Sequence, residues 1–544
     1  MGVRSFASGA GAKSTQEDDD DLDDGFSELE TPVDSADGDD DLAKSDLSEE
    51  EDLQTELEAL GDVAEKISSK KRGLSAMTKT ILDSPSSMSL SKVLDEWVGE
   101  GNEVNQTEAA LTMLHLRKRR LFGKALEFSE WLESRKHFEF SDKNYASRVD
   151  LIAKSRGIYK AENYISKIPQ PNRGELVYRT LLANCVSANH VKKAEETFNK
   201  MKTLGLPITC FSCNQLLLLY KRTDKKKIAD ILLLMEKENI KPSAFTYQIL
   251  IDVKGQSNDI PAMEQVVAQM KADGVELNTQ IQASMARHYA EHGIKDKAEA
   301  ILKEIEGESL EKNRWACHWL MPIYASLGQE DQVERIWKVC EENPRVLECL
   351  TAIKAWGQLK KIEKAEEAFE QLSKKVKKPN SKHFTALLRV YADHGLLAKG
   401  KELVRRMGES GCQLGPLTWD AIVKLYLGAG EVEKADSVLG KAVGGQKKGG
   451  KPLFSTYLAI MEGYAGRGDV HNAEKILTMM RRVGYLSRLK QYKTLVEAYV
   501  KAGKPAYGMS DRLKADGVFP NRVLGALLAK VDPFRKTPVS DLLE

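Results

Sequence analysis

The chain has 544 residues, 81 Lys and Arg against 81 Asp and Glu, and a mean hydropathy of −0.42. The balance is not local: residues 17–66 hold twenty-three acids and two bases, residues 1–16 hold two bases and no acid, and 67–544 is left with about +19. A basic body suits a polyanionic partner, although Lys and Arg that merely solvate helix faces give the same count. Seven cysteines without regular spacing exclude a secreted disulfide framework, and no run of eighteen apolar residues is present to span a membrane.

Residues 1–16 are small and Ser-rich, with Arg4 and Lys13, and Arg4-Ser5-Phe6-Ala7 resembles a mitochondrial presequence cleavage region. They read as the remnant of a transit peptide. Residues 17–66 are acidic and of low complexity, with too little apolar surface to offset the entropy of ordering. This segment either mimics a nucleic-acid backbone, binds a basic partner, or solubilises the chain. Residues 67–105 form a linker, with a turn at Ser84-Pro85-Ser86-Ser87 and a capping helix around Leu90, Val93, Leu94 and Trp97.

From 106 to 521 the chain repeats itself. The clearest unit is 381–415. Phe384, Leu387, Leu388 and Tyr391 make one apolar face, Gly395 breaks it, and Leu403, Val404 and Met407 make a second. Neighbouring stretches carry an aromatic at the eleventh place (Tyr289, Tyr324, Trp356, Tyr391, Tyr426, Tyr464, Tyr499) and a Gly four residues later (Gly293, Gly328, Gly395, Gly430, Gly468, Gly503). A small residue follows, as at Ala298, Ala365, Gly400, Ala435 and Ala473. A hairpin of this size cannot bury its apolar face alone, so a period of about 35 residues predicts an all-α solenoid of helix-turn-helix units. The units begin near Asp142, Glu175, Cys210, Ala244, Thr279, Arg314, Val346, Ser381, Pro416, Phe454 and Leu489, after a worn first copy at 106–141. Residues 444–451 insert a basic loop, and 522–544 hold a partial helix and tail.

Gly at the fifteenth place and Pro near unit ends, as in Lys241-Pro242-Ser243 and Lys378-Pro379-Asn380, depart from the tetratricopeptide pattern. Openings such as Ala244-Phe245-Thr246-Tyr247 and closings such as Met270-Lys271-Ala272-Asp273-Gly274-Val275 resemble the pentatricopeptide repeat (PPR) family, in its P class, over about four-fifths of the chain. The resemblance implies a right-handed superhelix of about eleven units. It also implies a concave groove for single-stranded RNA, one base per unit, read by the fifth and last residues. Carried over residue by residue, Asn214 pairs with Ser243, with Phe211 as the stacking neighbour. Thr385, Gln248 and His318 hold fifth places, and Asn278 a last place. Asn278, Asn313, Asn380 and Asn521 meet Gln248, Ala283, Leu350 and Lys493, outside the family's usual pairs, and Thr385 meets Gly415, so base discrimination is expected to be weak. Phosphate-binding candidates are Lys225, Lys226, Lys227, Arg405, Arg406, Arg481 and Arg482, with Lys447 and Lys448; the resemblance places second helices on the outer side.

Catalytic chemistry finds no support. His137-Phe138-Glu139 and Cys210-Phe211-Ser212-Cys213 echo a zinc deaminase signature, but Thr209 stands where that signature needs Pro. No phosphate-binding G-x-x-x-x-G-K-[ST] loop occurs. The expectation is a non-enzymatic protein without cofactor, metal, membrane or small-molecule substrate. It sits in the mitochondrion ahead of the chloroplast. It either supports transcript processing, stability or translation, or is a structural subunit of the mitochondrial ribosome or another ribonucleoprotein particle, touching ribosomal RNA and proteins.

Overall fold

The computed structural model describes residues 75–532 apart from 85–87, 103, 120, 136–139, 377–378, 413, 445–451, 484 and 486–488. The transit remnant, the acidic segment, most of the Ser84–Ser87 turn, His137–Glu139, most of the basic loop with Lys447 and Lys448, and the tail past 532 lie outside the described residues. Among the described residues every regular element is helical, and they form two compact bodies, 75–288 and 289–532.

The first body contains α1 (Ala76–Asp83), α2 (Leu90–Gly99), α3 (Gln106–Lys118), α4 (Phe122–Ser134), α5 (Asp142–Arg156), α6 (Ile158–Ile165), α7 (Glu175–Ser187), α8 (Val191–Thr203), α9 (Cys210–Thr223), α10 (Ile228–Lys237), α11 (Ala244–Gln256), α12 (Ile260–Ala272) and α13 (Thr279–Glu291) as far as His288. The second contains α14 (Lys295–Glu306), α15 (Cys317–Ser326), α16 (Glu330–Cys340), α17 (Val346–Gln358), α18 (Ile362–Lys375), α19 (Ser381–Asp393), α20 (Leu397–Glu409), α21 (Pro416–Gly428), α22 (Val432–Gly444), α23 (Phe454–Arg467), α24 (Val470–Arg482), α25 (Leu489–Ala502), α26 (Met509–Ala515) and α27 (Arg522–Lys530). Odd-numbered helices from α1 to α25 open a unit and even-numbered ones close it. Within each body, first helices such as α7, α11, α17 and α21 pack on their own second helices, and α5, α9, α17 and α19 pack on the next first helix.

The 381–415 unit shows why this sequence takes this form. Asn380 caps α19: its side-chain oxygen accepts from the His383 amide (3.4 Å), and His383 Nδ1 accepts from the Asn380 amide (3.1 Å). Phe384, Leu387, Leu388 and Tyr391 are buried on one face. The helix ends at Gly395, whose φ of +66° lets the Leu396 amide reach the Tyr391 carbonyl (2.9 Å). Other units repeat this left-handed turn at Gly293, Gly328, Gly430, Gly468 and Gly503, and where the Gly is missing Asn189, Asn258 and Lys360 adopt the same positive φ. The small column has a packing cause: a Cβ on Gly400 would lie 2.3 Å from Leu425 Cδ2, so α20 approaches α21 more closely than Ala permits.

The eleventh-place aromatics join units. The hydroxyls of Tyr220, Tyr391, Tyr464 and Tyr499 donate to Glu195 (2.9 Å), Glu366 (2.8 Å), Asp436 (3.2 Å) and Glu474 (3.1 Å) on the preceding second helix. The same carboxylates accept from Lys227, Lys399, Lys475 and Arg512 of the following unit at 2.6–2.7 Å. One acid thus ties two units while its charge is balanced.

The linker expectation needs correction. Residues 76–99 form two helices, not one, and Thr78 and Thr112 share a hydrogen bond (3.0 Å) between α1 and α3. α1 has only eight residues, too few for its Met77 and Ile81 to stand out as a period. The cysteines are free; burial pushes the Cys185, Cys213 and Cys349 thiols up to about 11, so they behave as core side chains.

Candidate functional site

With neighbours packed on its other sides, a first helix keeps one strip in contact with solvent. On α17 this strip is Leu347, Thr351, Lys354 and Gln358; on α19 it is Lys382, Ala386, Arg389 and Asp393. These are places 2, 6, 9 and 13, one helical face. Several fifth places sit at its edge and are sunk, Asn214 at 5% exposed, Thr385 at 6% and Gln248 at 7%, whereas His318 is partly exposed.

The structure brings Asn214 and Ser243 together, and it also occupies them. Asn214 Nδ2 donates to Ser243 Oγ (3.3 Å) and to Cys210 Sγ (3.5 Å), while its oxygen accepts from Thr246 Oγ1 (2.7 Å). Phe211 lies under the Arg179 guanidinium, 5.1 Å from the ring centre. Thr385 donates to the Ser381 carbonyl (2.7 Å) and meets Thr418 (2.8 Å). Gln248 is the exception, with no hydrogen-bond partner among the described residues. His318 stacks obliquely on Trp319, ring centres 4.7 Å apart.

Last-place residues have a local task. Each precedes a first helix, and Ser243, Asn278, Asn380 and Asn521 accept from the amides of Thr246, Ile281, His383 and Leu524 at 2.9–3.4 Å. They are N-caps, worth about 1 kcal/mol each, which explains why Asn and Ser recur there whatever stands at the fifth place.

The cation candidates lie on second helices or the turns before them. Lys227 binds Glu195 (2.7 Å), Arg405 binds Glu402 (2.8 Å) and Glu409, Arg406 binds Glu370 (3.1 Å), and Arg481 binds Asp516 (2.5 Å). Lys225 is half-buried beside Ser257 (2.8 Å); burial and the nearby Lys254 bring its ammonium down to about 8. Lys226 and Arg482 are exposed without an ion pair to a described residue.

At the ninth place of α5 and α11 the first body holds buried carboxylates. Asp252 (3% exposed) accepts from Lys221 Nζ (2.7 Å) and Ser284 Oγ, with Arg287 and His288 each at 3.3 Å. Burial pushes its carboxyl up, but the Lys221 ammonium, the His288 hydrogen bond and the Arg287 guanidinium outweigh that and hold it well below the usual range. Asp150 meets Arg117 (2.7 Å), Lys154 (3.0 Å) and Asn184 (2.9 Å) in the same manner. In the second body the ninth place carries Lys354, Arg389 and Lys424 on α17, α19 and α21. Sequence reasoning passed over these three, although each stands 35 residues from the next.

The pentatricopeptide repeat domain pattern matches residues 203–257, and the PPR repeat pattern matches 176–206, 382–412 and 455–485. Two Arabidopsis thaliana proteins named as mitochondrial pentatricopeptide repeat-containing proteins are similar along the whole chain. One is 53% identical over 543 residues, covering 100% of this chain and 90% of its own; the other is 54% identical over 544 residues, covering 99% and 90%. A crystal structure of a maize pentatricopeptide repeat protein aligns over 84% of this chain and 75% of its own at 17% identity, with a TM-score of 0.37. From this kinship and its helix-turn-helix units, the chain belongs to the pentatricopeptide repeat family, alongside mitochondrial members.

Proposed function

We propose that this protein binds single-stranded RNA along the exposed strip of its first helices, chiefly by charge and stacking. It thereby supports the processing, stability or translation of mitochondrial transcripts, without catalysis. The observation that carries the reading is the division of charge between helices. Cations on second helices or the turns before them are largely balanced by carboxylates of the chain, as at Lys227, Lys399, Arg406 and Lys475, whereas Lys354 and Arg389 on first helices have no ion pair to a described residue, within a basic excess of about +19 over residues 67–544. Weak base discrimination follows from the commitment of Asn214, Ser243 and Thr385 to the chain's own groups. Gln248, buried with its amide unengaged, is the fifth-place side chain best placed to meet a base.

Sedimentation of a mitochondrial extract on a sucrose gradient, with and without RNase, tests this. A light or RNase-sensitive position supports the transcript role. Co-migration with an intact ribosomal subunit through mild RNase overturns it in favour of a structural subunit. Sequencing the RNA retained by Asn214→Ala and Gln248→Ala against the unaltered protein then measures base discrimination; little change is expected for Asn214→Ala.

A further inference from the structure

The ninth-place row of the second body is the most unusual charge pattern in the molecule. Lys354, Arg389 and Lys424 recur at 35-residue steps on three first helices that pack side by side, α17 on α19 and α19 on α21. Packed helices stand roughly 8–10 Å apart, so three cations line one face at that spacing. Lys354 is exposed and Arg389 partly so, and neither is ion-paired to a described residue. Lys424 lies 3.1 Å from Asp420, whose oxygens also accept from Thr456 (2.7 Å) and Ser455 (3.2 Å). That carboxylate is 4% exposed, while half of the Lys424 side chain stays in water. On the same strip of α19, Asp393 is an exposed acid.

The row has two defined ends. In the unit before, the ninth place is Pro322, and the strip of α15 carries Trp319, partly exposed, and Trp315, 46% exposed just before the helix. In the units after, the ninth place turns acidic at Glu462 and Glu497. A face that runs from aromatic to three cations to acid complements a short length of a flexible polyanion with π faces.

We propose that Lys354, Arg389 and Lys424 hold consecutive phosphates of a single-stranded RNA, with a base stacked on Trp319, so that the second body supplies the electrostatic part of binding. This rests on the RNA-binding reading and adds where the strand lies. Every base has a π face and every nucleotide a phosphate, so the site is indifferent to sequence.

The test is fluorescence anisotropy of a labelled mixed-sequence RNA with the full chain, over a range of salt. Affinity for single strands falls with salt with a log–log slope of about −0.7 per phosphate neutralised. The triple variant Lys354→Ala/Arg389→Ala/Lys424→Ala should therefore bind more weakly, with a slope less negative by about 2. Glu462→Lys, which lengthens the row, should steepen the slope by about 0.7, a gain that misfolding cannot imitate. Trp319→Ala should weaken binding about tenfold without changing the slope. Arg405→Ala/Arg406→Ala, on a second helix, should leave the slope unaltered. An unchanged slope in the triple variant, with the unaltered protein binding normally, overturns the row and leaves the RNA-binding reading in place. Failure of the unaltered protein to bind RNA at low salt overturns that reading, and the row with it.

Discussion

The first body buries a carboxylate at the ninth place of α5 and α11, whereas the second leaves a cation in water at the ninth place of α17, α19 and α21. The backbone position is equivalent, so the difference lies in the partners. Around Asp252, Lys221, Ser284, Arg287 and His288 converge from the helices on either side and replace the water that burial removes. Around Lys354 and Arg389 no carboxylate converges among the described residues, and their charges remain available to solvent or ligand. One repeat position thus serves cohesion in one body and surface charge in the other. Cohesion by buried charge is fragile, because losing one partner strands the rest.

The sharpest way to break this contrast is Asp252→Ala. It leaves the Lys221 ammonium buried without its counter-charge, and a loss of about 3–5 kcal/mol is expected in urea denaturation. A loss under about 1 kcal/mol would mean that water reaches the cluster. Acid should act on the same group. Its folded pKa is depressed, so its stabilisation is present above the unfolded value of about 3.9 and is lost as pH falls through the folded one. Denaturation midpoints measured from pH 6 downward should therefore decline on the acid side, and Asp252→Asn should remove that part of the decline. In the second body, Gly357→Ala should cost about 1–3 kcal/mol, because its new Cβ would lie 2.5 Å from Cγ2 of the stiff Val390; melting with no shift would show that α17 can draw away from α19. Lys360→Gly should gain about 1 kcal/mol by relieving a left-handed Lys (φ +59°), read as a raised denaturation midpoint. The smallest effect belongs to Lys354→Ala/Arg389→Ala, whose stability should stay within about 0.5 kcal/mol of the unaltered protein, Lys424 being left in place beside the buried Asp420. A larger loss would show the row to be structural.

The repeat was legible because each of its columns answers a separate physical demand. Left-handed turns call for Gly or Asn, close helix approach calls for Gly400 and its small counterparts, and core layers call for Met and Tyr. The opening residues of the units, from Asp142 to Leu489, fall at helix starts, with the one at Arg314 entering through a short 3-10 turn. Less of the site could be read. Asn at a last place looks the same whether it faces a base or caps a helix, and only the bond from Asn278 to the Ile281 amide separates the two. Clusters such as Lys225–Lys227 and Arg405–Arg406 look available in one dimension, yet Glu195 and Glu370 reach Lys227 and Arg406 only once helices stack, and Glu402 meets Arg405 one turn away on the same helix. The ninth-place row hid for the opposite reason, since no two of its members are adjacent in sequence.

The left-handed turns also govern how the array comes apart. At Gly395 and Gly430 nothing lies within 4 Å of where a Cβ would be, so the requirement there is one of torsion and not of contact with neighbours. Each turn is therefore a local latch whose strength is set by a single residue. Lys360 makes the latch between α17 and α18 the weakest of the series, and thermal opening should begin there, with amide hydrogens around it exchanging ahead of those beside Gly395. A repeat protein with one loose latch next to Lys354 would flex at the place where a threaded strand first meets charge.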